Sequence, residues 1–306
     1  MIYTSENNWY SWSYGSGPKF GRQLGNEKLQ THFESTNATL SSFSQELLKA
    51  ATSTLEHYPD LRPSILFSGG VDSEVVLRAY IEIGANPKVY IIRYENDYNI
   101  YDVSYAVTVC SILNVDYTII DFNLKKFYEN DAEKISELAQ ICRPRALPQC
   151  KFFDLVDGLP ILGSSDLTGV RTNDDYNTKG TWLIRCWEHD IGWSKYLRET
   201  NRPGIAEWFK WSPGLVIGFT ELEWFKKVTN DEYYGKLGFN STKIIGYREA
   251  YPDLISRKKQ TGFEKTDHLV IEFESFLKKK YNDLPYRQSV DRTIHQLKAE
   301  ILSGNK

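Results

Sequence analysis

The sequence lacks most of the features that would assign a protein early. It has only four cysteines, Cys110, Cys142, Cys150 and Cys186, and none stands in the Cys-x-x-Cys spacing of a metal site. They read as packing residues. Cys142 and Cys150, on either side of Pro144 and Pro148, leave open a redox or sulfur-carrying pair. No run approaches the roughly eighteen apolar residues of a membrane helix. Residues 1–14 lack the charged start and apolar centre of a signal peptide, so a cytoplasmic address is expected. Neither charge sign dominates: 37 basic against 40 acidic side chains leave a net charge of −3, with no overall basic footprint for nucleic acid. Repeats and low-complexity tracts are missing too.

What is present is a chain of 306 residues, long enough to bury a sizeable core. Its 41% hydrophobic and 14% aromatic content argues against disorder, and eight Trp with twenty Tyr suggest a core rich in rings. Residues 1–35 show no sustained period and read as a packed arm or small hairpin. Over 38–58, Leu40, Phe43, Leu47, Leu48, Ala51 and Leu55 recur at helical spacing, and Pro59 and Pro63 end that helix.

From Pro63 onward the pattern alternates. Apolar runs at 65–67, 89–92, 117–120 and 160–163 read as strands, and amphipathic stretches between them read as helices. That alternation predicts an α/β fold: a parallel sheet with helices on both faces, joined by right-handed crossovers. Ligands of such sheets bind outside the carboxyl ends of the strands. Residues 170–235 lose the alternation and gather Trp182, Trp187, Trp193, Trp208, Trp211 and Trp224, which reads as a helical substrate-side region. Within it Glu188, His189 and Asp190 are either a surface turn or a small metal site.

The chemical signature is Ser68, Gly69, Gly70, Val71, Asp72 and Ser73, between the first parallel strand and its helix. A helix start offers unpartnered backbone N–H groups and partial positive charge, so it attracts anions, phosphate above all. Glycines let the backbone approach a phosphate, and the Ser68 and Ser73 hydroxyls can donate to one. Asp72 would repel a bare phosphate, which suggests magnesium between them. The lysine of the Walker motif is absent. The plainer alternative is a glycine turn with Ser73 as helix N-cap. At the same sheet edge, Gly163 leads into Ser164, Ser165 and Asp166, which is either an ordinary Asp in a polar loop or a partner that meets Asp72 across the metal. The main chain of Ile92 and Arg93, ending the second strand, is where adenine or ribose would be gripped. A second constellation spans 243–263, a helix, a Pro252 break and a basic loop with Arg257, Lys258 and Lys259. Such a loop is either a solvated charge cluster or a counter-charge for departing pyrophosphate.

The Ser-Gly-Gly-Val-Asp-Ser turn resembles the phosphate loop of the PP-loop ATP pyrophosphatases. The 243–263 run, with Tyr101, Asp102, Tyr105 and Ala106, resembles the synthetase domain of asparagine synthetases and β-lactam synthetases over roughly 40–265. This resemblance implies a magnesium- and ATP-dependent ligase that adenylates a carboxylate, releases pyrophosphate and passes the acyl group to an amine or ammonia. It implies Lys259 as the pyrophosphate-contacting lysine, beside Asp72 in catalysis, with Asp72 and Asp166 as metal ligands. The residue patterns divide the chain into an arm and covering helix over 1–60, an α/β core over 61–169, which the resemblance makes ATP-binding, and a mainly helical region over 170–306. Two departures bear on substrate. The segment before the signature is too short for the family's glutaminase domain, so ammonia would come from a separate chain. The glutamate of the loop at 163–167 is missing, with Leu167 in its neighbourhood. Two other readings stay open: adenylation of a nucleobase for base modification or sulfur transfer, using Cys142 or Cys150, and a nucleotide-binding subunit without chemistry.

Overall fold

The computed structural model of the chain describes residues 3–4, 7, 9–14, 28–36, 40–163, 168–171, 182–222, 244–255, 265–281 and 288–303. The arm folds as an antiparallel sheet of β1 (Tyr3–Thr4), β2 (Tyr10–Tyr14) and β3 (Leu29–Phe33). Tyr10, Trp12 and Tyr14 are buried, so its rings serve the core. Helix α1 (Phe43–His57) starts at Ser42 in a capping box with Gln45, each side chain bonding the other's backbone N–H.

The expected parallel sheet follows. Its chain order is β4 (Pro63–Leu66), α2 (Val71–Glu82), β5 (Lys88–Tyr94), α3 (Ile100–Ile112) and β6 (Tyr117–Phe122), then α4 (Leu124–Asn130), α5 (Ala132–Ala139), α6 (Pro148–Asp154) and β7 (Leu159–Leu162). The four strands lie in the order β6-β5-β4-β7, all parallel. Side chains alternate across a strand. Ile65, Phe67, Val89, Ile91, Leu159 and Ile161 accordingly join the core under α1, α2 and α3. Leu66, Tyr90 and Leu162 face a second core with residues of α4, α5 and α6. Continuously apolar strands are what a sheet covered on both faces requires.

The later region carries the expected helices and, beside them, strands that the helical reading did not include. Strands β8 (Thr168–Arg171), β9 (Trp182–Trp187) and β10 (Ser289–Thr293) form a second antiparallel sheet of order β10-β9-β8. The period was present in the sequence, since Ile184 and Cys186 are buried while Arg185 and Trp187 between and beside them are half-buried. The flanking tryptophans hid it. Helices α7 (Glu188–Glu199), α8 (Pro213–Glu221), α9 (Asp267–Tyr281) and α10 (Ile294–Ile301) belong to the same region. Ile205 adds a rung beside β7: its N–H donates to the Pro160 carbonyl at 2.8 Å, and its carbonyl accepts from Leu162 N–H at 2.9 Å. Among the described residues, no helix is long and apolar enough to cross a membrane.

Candidate functional site

The sheet's order reverses at β4, with β5 and β6 on one side and β7 on the other. The crevice beyond β4 and β7 is therefore the topological switch point, where ligands of open α/β sheets bind. The turn 68–73 leaves β4 at that point. Phe67 extends the ladder through its N–H to the Tyr90 carbonyl at 2.8 Å. Gly69 then takes φ +74°, and a Cβ there would lie 2.3 Å from the Asp102 carbonyl oxygen at the start of α3. On the other flank, a Cβ on Gly163 would lie 2.7 Å from the Ser73 Cα. Two glycines thus let the start of α2 wedge between α3 and the end of β7.

Gly70, not Ser73, is the N-cap of α2, and no side chain caps that helix. The first helical bond runs from Glu74 N–H to the Gly70 carbonyl at 3.0 Å. The preceding N–H groups have no intrahelical partner, as at any helix start. The two hydroxyls brace the turn. Ser73 donates to the Gly70 carbonyl at 2.9 Å, Ser68 accepts from Gly70 N–H at 3.2 Å, and the two oxygens lie 3.2 Å apart.

Asp72 sits half-buried in the first turn of α2. Its Oδ1 accepts from the Tyr247 hydroxyl at 2.6 Å. Tyr247 is fully buried, with Phe43, Phe209 and Phe219 around its ring at centroid distances of 6.1, 5.9 and 5.9 Å. Burial and the Asp72 carboxylate push its pKa well up, so it stays the donor. Further along α2, Arg78 pairs with Glu74 and Asp253, both at 2.9 Å, and lies over the Tyr251 ring. Tyr105 of α3 donates to the Ile255 carbonyl at 3.4 Å. The first half of the second constellation, residues 244–255, therefore lies against α2 and α3 beside the turn. Tyr247 had no local mark in the sequence, because a tyrosine in an amphipathic run reads as core.

Other expected residues fare differently. Asp166 and Lys259 lie outside the described residues. The Ile92 carbonyl accepts from Asn99 Nδ2 at 2.8 Å. Arg93 is committed to a two-pronged pair with Asp121 on β6, at 2.6 and 3.0 Å. Glu188, His189 and Asp190 are not a surface turn: they are buried at the start of α7. Nor do they form a metal site, since Glu188 accepts from Tyr14 at 2.9 Å and His189 contacts Arg143 at 2.9 Å. Among the described residues, no group of three or more His, Cys, Asp or Glu is placed to hold a metal ion. Cys142 and Cys150 are buried free thiols, and burial pushes the Cys150 thiol well up, away from the reactive thiolate.

The fold and the turn define a class: a doubly covered parallel α/β protein whose switch point carries a glycine-rich, helix-starting turn with a carboxylate in it. No family model matches the sequence, and the comparison with curated proteins returned no match. Among solved structures, NMN synthetase from Francisella tularensis is similar over 78% of this chain and 94% of that one, at 14% identity and a TM-score of 0.32.

Proposed function

We propose that this chain is an ATP- and magnesium-dependent enzyme that releases pyrophosphate, adenylating a carboxylate and transferring the acyl group to an amine or to ammonia from a separate chain. The observation that supports it most is the start of α2. It lies at the switch point, no side chain caps it, glycine contacts press it between α3 and β7, and it carries Asp72. The backbone donors there would hold phosphate oxygens. Magnesium fits the donor set, because it uses one or two carboxylates and fills its shell with water and phosphate oxygens. Asp72, with Asp166 as its partner, would hold the ion, which when bound supplies charge neutralisation on the phosphates. Lys259 would meet charge that develops on the departing pyrophosphate. Ser68 and Ser73 would exchange their mutual contact for phosphate oxygens. The burial of Cys142 and Cys150 weighs against the sulfur-transfer alternative.

The test is pyrophosphate exchange into ATP, screened over amino acids, small carboxylates and nucleobases. Exchange that depends on a carboxylate is expected, and Asp72→Asn should abolish it without unfolding the protein. Exchange that requires a nucleobase, or undiminished exchange in the variant, would overturn the assignment.

A further inference from the structure

We propose that Tyr247 is a positioning residue for the metal carboxylate: its hydroxyl fixes the rotation of Asp72 and so sets the affinity for magnesium bound with ATP. The proposal rests on the reading of Asp72 as a magnesium ligand. Its own ground is the geometry. The hydroxyl reaches Asp72 Oδ1 at 2.6 Å, at the short end for a charge-assisted bond. The tyrosine has no exposed surface, and Phe43 and Phe209 are stacked against its ring while Phe219 lies tilted beside it. These rings come from α1, from the segment before α8 and from α8 itself, so three separate parts of the chain hold one hydroxyl in place. A core ring needs no hydroxyl to pack. A buried hydroxyl needs a partner, and here the partner is a carboxylate in the first turn of α2, 175 residues away in sequence.

Holding a carboxylate before the ion arrives reduces the rotational freedom lost on binding. Outer hydrogen bonds of this kind change metal affinity by about 10- to 100-fold when removed. A purely structural hydroxyl would change stability and leave magnesium dependence alone. Tyr80 provides that contrast. It is equally buried and lies on α2, the helix of Asp72, but its hydroxyl contacts Thr54 and Trp208 Nε1, the latter at 3.3 Å, and it makes no described contact with the turn.

The experiment titrates magnesium against ATP binding, by calorimetry and by the ligand-induced rise in melting temperature, with ATP in EDTA as the metal-free arm. Tyr247→Phe is expected to raise the magnesium half-saturation about tenfold or more, while Tyr80→Phe leaves it unchanged. Replacing Tyr247 with 4-aminophenylalanine, which restores a donor on the same ring, is expected to bring the value back towards that of the unaltered protein. Where Tyr247→Phe does not fold, 4-methylphenylalanine at 247 fills the same volume without donating and takes its place. A magnesium half-saturation in the donor-free variants equal to that of Tyr80→Phe would overturn the positioning role and leave the ATP reading standing. Magnesium-independent ATP binding, or none, in the unaltered protein would overturn both.

Discussion

Gly69 and Gly84 have nearly the same backbone twist, φ +74° and +75°, but different surroundings. At Gly84 a Cβ would meet nothing within 4 Å, whereas at Gly69 it would meet the Asp102 carbonyl oxygen at 2.3 Å. The left-handed conformation alone costs an L-residue about 1–2 kcal/mol. Gly84→Ala should therefore lose about that much stability and, on the proposed function, bind ATP as the native protein does. Gly69→Ala carries the same strain and must also push the start of α3 away from the turn. It should be the less stable of the two and, on the proposed function, should lose ATP affinity. Urea unfolding with an ATP-binding assay checks both, and equal behaviour of the two variants would contradict the close contact. The need for glycine at 69 was legible in the sequence, whereas Gly70, at φ −75°, takes an ordinary extended backbone; the carbonyl that enforces Gly69 was not legible, because Asp102 is 33 positions away, 102 against 69.

Helix α2 and the 244–255 segment are joined through Arg78, and the two ends of that junction differ in worth. Glu74 is 1% exposed, and Arg78 covers it at 2.9 Å; Asp253 is 65% exposed at the same distance. An exposed pair contributes about 0–1 kcal/mol, so Asp253→Asn should barely move the unfolding midpoint. Removing Arg78 takes away the guanidinium at 2.9 Å from the buried Glu74 carboxylate, which also accepts from Tyr105 at 3.4 Å. Loss of one partner of a buried pair costs about 3–5 kcal/mol, and Arg78→Met should fall in or just below that range in chemical denaturation. A result no larger than that for Asp253→Asn would contradict this division. The elements themselves were mostly legible. The strand and helix alternation from Pro63 to Leu162 follows local periodicity, which a single sequence carries. The pairing of β9 with β10 was not legible, because they are joined antiparallel across about a hundred intervening residues, Ser289 opposite Trp187. No local period announces a partner at that distance.

At the scale of the whole molecule, the parts of the chain outside the parallel sheet are tied together by buried charge that composition could not reveal. Tyr14 of the first small sheet donates to Glu188, which also accepts from Gln288 N–H at 2.7 Å beside β10. Lys195 donates to Tyr14 at 2.7 Å and to Gln140 at 3.2 Å. Lys210 meets Glu207 at 2.5 Å, and its carbonyl accepts from Trp9 Nε1 at 2.8 Å. Asp190 lies in this layer, with His189 Nε2 at 3.2 Å from its carboxylate. Burial raises its pKa from an ordinary 3.8 to about 6, against the opposing pull of Lys210 and Arg143. The folded protein then holds a proton that the unfolded chain has released between those two values. The stability this group contributes is full below about pH 3.8 and is lost as pH rises through about 6. A difference of that size corresponds to about 3 kcal/mol. Asp190→Asn, which cannot ionise, should remove this decline. The unfolding free energy of the variant minus that of the native protein should therefore rise between about pH 4 and about pH 7, measured by urea titration at each pH. Parallel curves would mean that Asp190 is ionised throughout, held by Arg143 and Lys210 despite its burial.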